Sequence, residues 1–433
     1  MKNIKNNIFI LLIFIIMIVD IYFLYIESIK LIEERKIKNF FNQITGIAKI
    51  DKYTIYGNHF NLEGYLNIDK KTSKVILVLK NFENEKEIPL EYSIDNNEIS
   101  FKLSRNINEG IDLDTITDAN YYLFIKIISD NKTLYYTLEN NTIYNDLEYY
   151  TITRNNKNYK IDLIINQLEI EDINIPYFKL TSALANNNNV YDIVIDPGHG
   201  GRDPGAISPD KKHHESDINL LVSKEIKKGL ENIGLKVKLT REEDITIASY
   251  GSAGRAVIPN NVKAKLLLSI HSNSSVNKLN KGGFEIYTPP FINKNFAQNF
   301  ADNIVNIANT TYSANEQDKV TNGVYERTYD NDGIKDAIKL AKENGYEPYN
   351  ITTSTPALYM IREPGGIMTN AYIDGRNSGM GVNPYFNSNI ATETYLLELG
   401  YLNNNKDLNN MLNNYHLYAE AIVKTIKDNY SLN

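Results

Sequence analysis

The stretch Tyr191–Ala206 reads YDIVIDPGHGGRDPGA. Its first half is apolar with little polar alternation, as expected of a strand covered on both faces. Its second half is crowded with Gly, Pro and Asp, the residues of tight turns. His199 stands where the strand runs out, one of 6 histidines in 433 residues. Downstream the rhythm is strand, helix, strand. ESDINLLVSKEIKKGLENIG (Glu215–Gly234) places Ile218, Leu221, Leu230 and Ile233 at helical spacings and stops at Gly234. LKVKLT (Leu235–Thr240), AKLLLSIH (Ala264–His271), GGFEIYT (Gly282–Thr288), PALYMI (Pro356–Ile361) and ETYLLELG (Glu393–Gly400) read as strands. Helices from Lys406 to Met411 and from Asn414 to Asp428 close the chain. Alternating elements of this kind imply an α/β domain with a mostly parallel sheet and helices on both faces.

In open α/β sheets the site lies beyond the carboxyl ends of the strands. His199, His271 and Glu398 all stand at such ends, and Glu215 stands at the start of the first helix near the same rim. Two imidazoles and a carboxylate, with one position left to water, make up a catalytic zinc site. A second carboxylate nearby then serves as general base. Gly198, Gly200 and Gly201 permit tight backbone around His199. Asp203 is a candidate to fix that loop and Asn273 to support the loop after His271. His213 and His214 compete with Glu215 as ligands, or face solvent. Arg241 and Arg255 read as ion-pair residues knitting helices to the sheet. His59 reads as a strand or surface residue, and His416 as surface.

The upstream half has another character. From Ile8 to Ile26 the chain is almost wholly apolar, enough for a helix rising ~1.5 Å per residue to cross a ~30 Å hydrocarbon core. Lys2 and Lys5 precede this run, which places the N-terminus in the cytoplasm and the rest outside. No small-x-small cleavage site follows, so residues 1–27 read as an uncleaved signal-anchor. Residues 28–43 read as a juxtamembrane stalk. Residues 44–176, rich in short β-branched and aromatic runs such as SKVILVLKNF and NYYLFIKIIS, read as an all-β domain, an antiparallel sandwich-like fold or a barrel. Residues 177–190, ending in ALANNNNV, read as a linker to the domain 191–433.

Composition narrows the function. The formal net charge of −7 argues against a nucleic-acid grip. The absence of cysteine removes disulfides, thiolate zinc sites and cysteine nucleophiles.

The pieces IDPGHGGRDPGA, HESDINL, LTREED, GRAVIPNN, LLLSIHSNSS, GGFEIYT and YLLELGYLNN, in this order, resemble the zinc-dependent N-acetylmuramoyl-L-alanine amidases of bacterial cell walls. The resemblance runs from Tyr191 to the C-terminus. It implies a zinc ion held by His199, Glu215 and His271, and Glu398 as the catalytic carboxylate. It implies hydrolysis of the amide between N-acetylmuramic acid and the L-alanine of the stem peptide. Peptidoglycan is then the substrate, met on the outer side of a membrane that the chain spans once. The β-rich domain is a candidate surface for a regulatory partner. A zinc peptidase cutting within the stem peptide and a non-catalytic wall-binding regulator are the alternatives. The sequence departs from a compact amidase in an insertion over about 300–356, with a helix in DGIKDAIKLAKENG (Asp332–Gly345), and in a Gly- and Asn-rich loop over 367–389. One of these segments is expected to shape the substrate groove or cover it, with Arg362 meeting a stem-peptide carboxylate.

Overall fold

A computed structural model describes residues 2–66, 74–94, 100–102, 106–129, 132–140, 147–185, 189–249, 254–275, 281–343, 351–366 and 390–432. The apolar N-terminal run is helical, but the helix does not end with it: α1 continues unbroken from Lys2 to Phe41. The expected stalk is the last part of that helix. Large apolar side chains from Leu11 to Tyr25 are exposed, an arrangement that water penalises and hydrocarbon does not. The segment Leu11–Phe41 is long and apolar enough to cross a membrane. Its far end is seated in protein: Ile37 and Phe41 are buried with Phe82, Tyr122 and Phe124. Phe40 packs edge-on against Phe82 and Tyr135 at centroid distances of 5.3 and 4.9 Å.

The next strands are β1 (Ile44–Tyr56), β2 (His59–Tyr65), β3 (Lys74–Lys80), β4 (Glu87–Ile94), β5 (Ser100–Lys102), β6 (Ile111–Asp112), β7 (Asn120–Ser129), β8 (Lys132–Asn140), β9 (Glu148–Tyr150), β10 (Tyr159–Ile170) and β11 (Ile173–Leu184). Pairing runs β1-β2-β5-β4-β3-β7-β8 and returns to β1. The strands therefore close on themselves as in a barrel, one of the two architectures the sequence left open. Long β1 makes this possible: Lys49–Tyr56 pair with β2 while Ile44–Ile50 pair with β8 in parallel. A parallel contact between distant strands leaves no hairpin signature in sequence. Ile50, Ile55, Phe60, Leu62, Leu77, Leu123 and Ile125 are among the buried residues of its core.

The expected linker is also corrected. Tyr177–Leu184 belongs to β11, where Phe178 and Leu180 are buried and pair with Leu123 and Tyr121. Tyr177, Lys179 and Thr181 alternate with them and are only half-buried. Only residues from 185 to the next strand connect the two units.

The second unit comprises β12 (Ile193–Pro197), α2 (Glu215–Asn232), β13 (Val237–Leu239), α3 (Ile258–Asn261), β14 (Leu266–Asn273), β15 (Glu285–Tyr287), α4 (Asn295–Ile307), β16 (Lys319–Thr321), β17 (Val324–Tyr325), α5 (Asn331–Glu343), α6 (Tyr359–Arg362), β18 (Ile390–Ala391), β19 (Glu393–Tyr401), α7 (Asn405–Asn413) and α8 (Tyr415–Asn429). The sheet order is β13-β12-β14-β19-β15-β17-β16. β13, β12, β14 and β19 run parallel; β15 is antiparallel to β19, β17 parallel to β15, and β16 antiparallel to β17. Residues of α2, α4 and α8 bury one face. Ala256, Val194, Leu267 and Met360 of α6 fill a second cluster on the other.

Two readings of this half change. PALYMI contributes the short helix α6 instead of a strand. The expected insertion over about 300–356 begins too early, because α4 puts Phe296, Phe300 and Ile304 into the core and β17 extends the sheet. Within that span, α5 buries no residue. The loop 367–389 lies outside the described residues.

The two units are joined tightly. β18 adds to the barrel, Ile390 and Ala391 pairing with Ile55 and Tyr56 of β1. Asn108 Nδ2 donates to the Asn293 carbonyl at 3.2 Å, and the Asn293 N–H returns a bond to Asn108 Oδ1 at 2.7 Å. Arg154 Nη2 donates to the Tyr430 carbonyl at 2.7 Å.

Candidate metal centre

Parallel strands deliver the site. His199 follows β12, His271 lies near the end of β14, and Glu398 near the end of the neighbouring β19. His271 and Glu398 are register partners. Glu215 opens α2, whose N-terminal partial positive charge suits a carboxylate. His199 Nε2 lies 3.2 Å and His271 Nδ1 2.9 Å from Glu215 Oε1. The ligand atoms of these three residues all lie within 4.8 Å of one another. This donor set, two imidazoles and a carboxylate, fits zinc.

The backbone explains the glycines. His199 itself takes a left-handed conformation, φ 61°, a strained state for a non-glycine residue that functional sites tolerate. A Cβ on Gly205, at φ 66°, would meet Glu215 Oε2 at 2.6 Å and His199 Cδ2 at 2.7 Å.

Of the two arginines expected to form ion pairs, Arg255 does so with Asp196, whereas Arg241 bonds to backbone carbonyls. Arg241, buried, donates to the carbonyls of Pro197 at 3.0 Å, Gly198 at 3.0 Å and Ser216 at 2.8 Å. Arg255 donates to the Pro197 carbonyl at 2.8 Å and to that of His199. Together they hold the loop that presents His199. Asp196 anchors Arg255 Nη1 at 3.2 Å and accepts from Thr240 and Ser269.

Supporting groups surround the cluster. Asp203 Oδ2 meets His199 Nδ1 at 2.7 Å, and its Oδ1 accepts from the Gly205 N–H. Glu215 Oε2 accepts from the Ala206 N–H, and Oε1 from the Ser272 N–H and Asn219 Nδ2. Hydrogen bonding to Glu215, against opposing burial, raises the His199 pKa to about 9. Burial pushes the Glu215 carboxyl up, but hydrogen bonds from both histidines outweigh it and hold it well below the usual range.

Glu398 is in the opposite situation. It is partly buried, and its Oε2 is cut off from solvent with no hydrogen-bond partner among the described residues. Burial, then the charges of Glu215 and Glu285, raise its pKa well above the carboxylate range.

Other sequence candidates fall elsewhere. Asn273 Nδ2 donates to Glu285 Oε2 at 3.2 Å. Arg362 is buried: Nε donates to Glu363 at 3.1 Å, and Nη1 to Tyr329 Oη at 2.9 Å and to the carbonyls of Pro356 and Ala357 at 3.2 Å. These bonds turn its fork into the protein, so the expected role in meeting a stem-peptide carboxylate is replaced by a structural one. His213 and His214 are partly buried and outside the cluster, His214 Nδ1 lying 3.6 Å from Asp217. Sequence reasoning passed over Glu285, a fully buried carboxylate on β15. Its signal was a charge between Phe284 and Ile286 in an otherwise apolar strand.

A family model described as N-acetylmuramoyl-L-alanine amidase matches residues 193–428. The probable N-acetylmuramoyl-L-alanine amidase AmiB of Haemophilus influenzae is 42% identical over 84 residues, 19% of this chain and 19% of that protein. The probable cell wall amidase LytH of Staphylococcus aureus is 38% identical over 96 residues, 22% of this chain and 30% of that protein. The chain thus spans less than a third of the length of either relative. Among solved structures, the catalytic domain of CwlV, an N-acetylmuramoyl-L-alanine amidase from Bacillus (Paenibacillus) polymyxa var. colistinus, aligns with a TM-score of 0.38 and 21% identity, over 56% of this chain and 100% of that one.

Proposed function

The chain belongs to the N-acetylmuramoyl-L-alanine amidase family, and from that premise we propose that it hydrolyses the amide between the lactyl group of N-acetylmuramic acid and the L-alanine of the stem peptide in peptidoglycan. One observation carries this reading: His199, Glu215 and His271 converge on one point on the strand rim that also presents Glu398 Oε2, buried and without a hydrogen-bond partner among the described residues.

His199, Glu215 and His271 would hold a zinc ion. When bound, zinc supplies Lewis-acid chemistry, polarising a carbonyl and acidifying a coordinated water. Glu398 takes the proton of the attacking water and returns it to the leaving amine. The absence of a donor to its Oε2 among the described residues and its raised proton affinity suit a group that must carry a proton near neutral pH. Asp203 holds His199 in the tautomer that offers Nε2. Arg241 and Arg255 keep the His199 loop from relaxing.

The apolar α1 is the single-pass anchor in this reading. Lys2 and Lys5 keep the N-terminus in the cytoplasm, and the metal centre then lies on the wall side, where peptidoglycan is found.

The test uses the full chain in detergent, loaded with zinc, on purified peptidoglycan, with products identified by mass beside Glu398→Ala. Free stem peptides beginning with L-alanine, absent from the variant, are the expected result. Shorter peptides would move the cut inside the stem. No release from zinc-loaded protein would overturn the reading.

A further inference from the structure

Glu285 on β15 has no solvent exposure and is the register partner of Glu398 on β19. Four side chains donate to it. Ser313 Oγ and Tyr401 Oη reach Oε1 at 2.6 Å each, and Tyr287 Oη and Asn273 Nδ2 reach Oε2 at 2.7 and 3.2 Å. All four donors are neutral. Among the described residues it has no ion pair, and a buried carboxylate of this kind is costly to keep, so its placement calls for a reason.

The reason lies in the pairing of β14 with β19. His271 pairs with Glu398, but the next pair is Asn273 with Tyr401, so two steps along β14 match three along β19. This is a bulge, and bulges beside active sites re-aim the side chains they carry. A bulge also disrupts the local ladder, which leaves its geometry to surrounding contacts. Asn273 and Tyr401, the pair that closes the bulge, are both hydrogen-bonded through their side chains to Glu285. Tyr401 is held a second time, its N–H donating to Asp407 Oδ2 at 3.0 Å.

Resting on the amidase reading, we propose that Glu285 is a positioning residue: its carboxylate staples both strands across the bulge and so fixes the direction in which Glu398 leaves β19 toward the metal cluster. It touches no reacting atom and acts through Glu398. Ser313 and Tyr287 keep the staple itself from moving.

The experiment compares Glu285→Gln with the native full chain in detergent. Glutamine keeps the shape but turns an NH2 group toward one of the two pairs of donors, Ser313 with Tyr401 or Asn273 with Tyr287. In the metal-free protein, hydrogen exchange at the backbone amides of residues 398–401 is expected to rise at least about tenfold. Zinc affinity should stay within about threefold, while kcat falls about 10- to 100-fold with KM little changed, the scale of a misplaced catalytic group. Tyr401→Phe removes one donor and leaves the carboxylate; it should move exchange and kcat the same way by less. Native exchange at 398–401 together with native kcat in Glu285→Gln would overturn the proposal. So would zinc affinity falling in step with kcat, which would place Glu285 among the supports of the ligands. If Glu285→Gln does not fold, unchanged exchange in Tyr401→Phe overturns it. If the native chain releases no stem peptide, the amidase reading fails, and the exchange measurements still decide whether Glu285 holds the bulge.

Discussion

Asp203 Oδ2 lies 2.7 Å from Nδ1 of His199, four residues earlier in the same loop. The contact occupies one ring nitrogen and leaves the other facing Glu215. A carboxylate behind a ligating imidazole fixes its tautomer and raises its basicity, and its loss costs about 10- to 100-fold in metal affinity. Asp203→Ala should show that loss in a zinc titration against a chelator. The fold should be unaffected, because the Asp203 side chain is 62% exposed. Unchanged affinity would remove Asp203 from the support of the site.

Protons and metal compete for His199. Its pKa in the metal-free chain is raised from 6.5 to about 9, through the hydrogen bond to Glu215. A raised folded-state pKa stabilises the protein fully below 6.5, and that stabilisation is lost as pH rises through about 9. The melting temperature of the metal-free chain should therefore fall across that interval. Zinc affinity should climb over the same interval, as binding no longer has to displace the proton. Calorimetry at several pH values, with and without zinc, checks both trends; a metal-free melting temperature that rises with pH there would contradict the assignment.

A Cβ added at Gly198 would sit 2.3 Å from Cε1 of His271. Alanine at this position must push the imidazole away from Glu215 or distort β12. Gly198→Ala should bind zinc at least tenfold more weakly, on the scale of losing ligand support, while far-ultraviolet circular dichroism stays native. Full zinc occupancy after dialysis would show that the ring has room to move.

The rim residues were legible because parallel strands end together, and a histidine or glutamate at such an end stands out against an apolar run. His199, His271 and Glu398 needed only that rule. Glu285 did not stand out, since its partners Asn273, Tyr287, Ser313 and Tyr401 come from separated segments, and of these only Asn273 carried a signal of its own. Arg241 and Arg255 bind mainly backbone carbonyls, which carry no side-chain signature. The closure of the barrel rests on Ile44–Ile50 meeting Tyr135–Asn140 in parallel, and its join to the second sheet on Tyr56 meeting Ala391. Contacts across such separations lie beyond local periodicity, which is also why Tyr177–Leu184 read as a linker.

Phe41, the last residue of α1, is 1% exposed and meets Tyr122, Phe124 and Tyr177 at centroid distances of 6.2, 5.6 and 6.0 Å. A chain beginning at Asn42 loses Ile37, Phe40 and Phe41 and uncovers Phe82, Tyr122 and Phe124. Removing one buried phenylalanine costs about 3–5 kcal/mol. The chain starting at Asn42 should therefore be less stable in urea than one starting at Glu27 by at least about 3 kcal/mol. Equal midpoints and slopes would mean that the helix end adds nothing to the barrel.

Glu398 Oε2 is buried and has no hydrogen-bond partner among the described residues, whereas Glu215 receives donors on both oxygens. Two carboxylates on one rim thus have opposite environments, one held ionised as a ligand and one disposed to hold a proton. Glu398→Gln keeps the shape and removes the proton carrier, so turnover should fall about 10²- to 10⁴-fold. Zinc affinity should hold, since His199, Glu215 and His271, the groups that would hold the metal, are untouched. His271→Ala should do the reverse in kind, losing the metal first and turnover with it. Measuring bound zinc and stem-peptide release on both variants separates holding the metal from moving the proton. Turnover in zinc-loaded Glu398→Gln above about a tenth of native, far outside the range for a lost acid-base group, would assign the proton transfer to another residue.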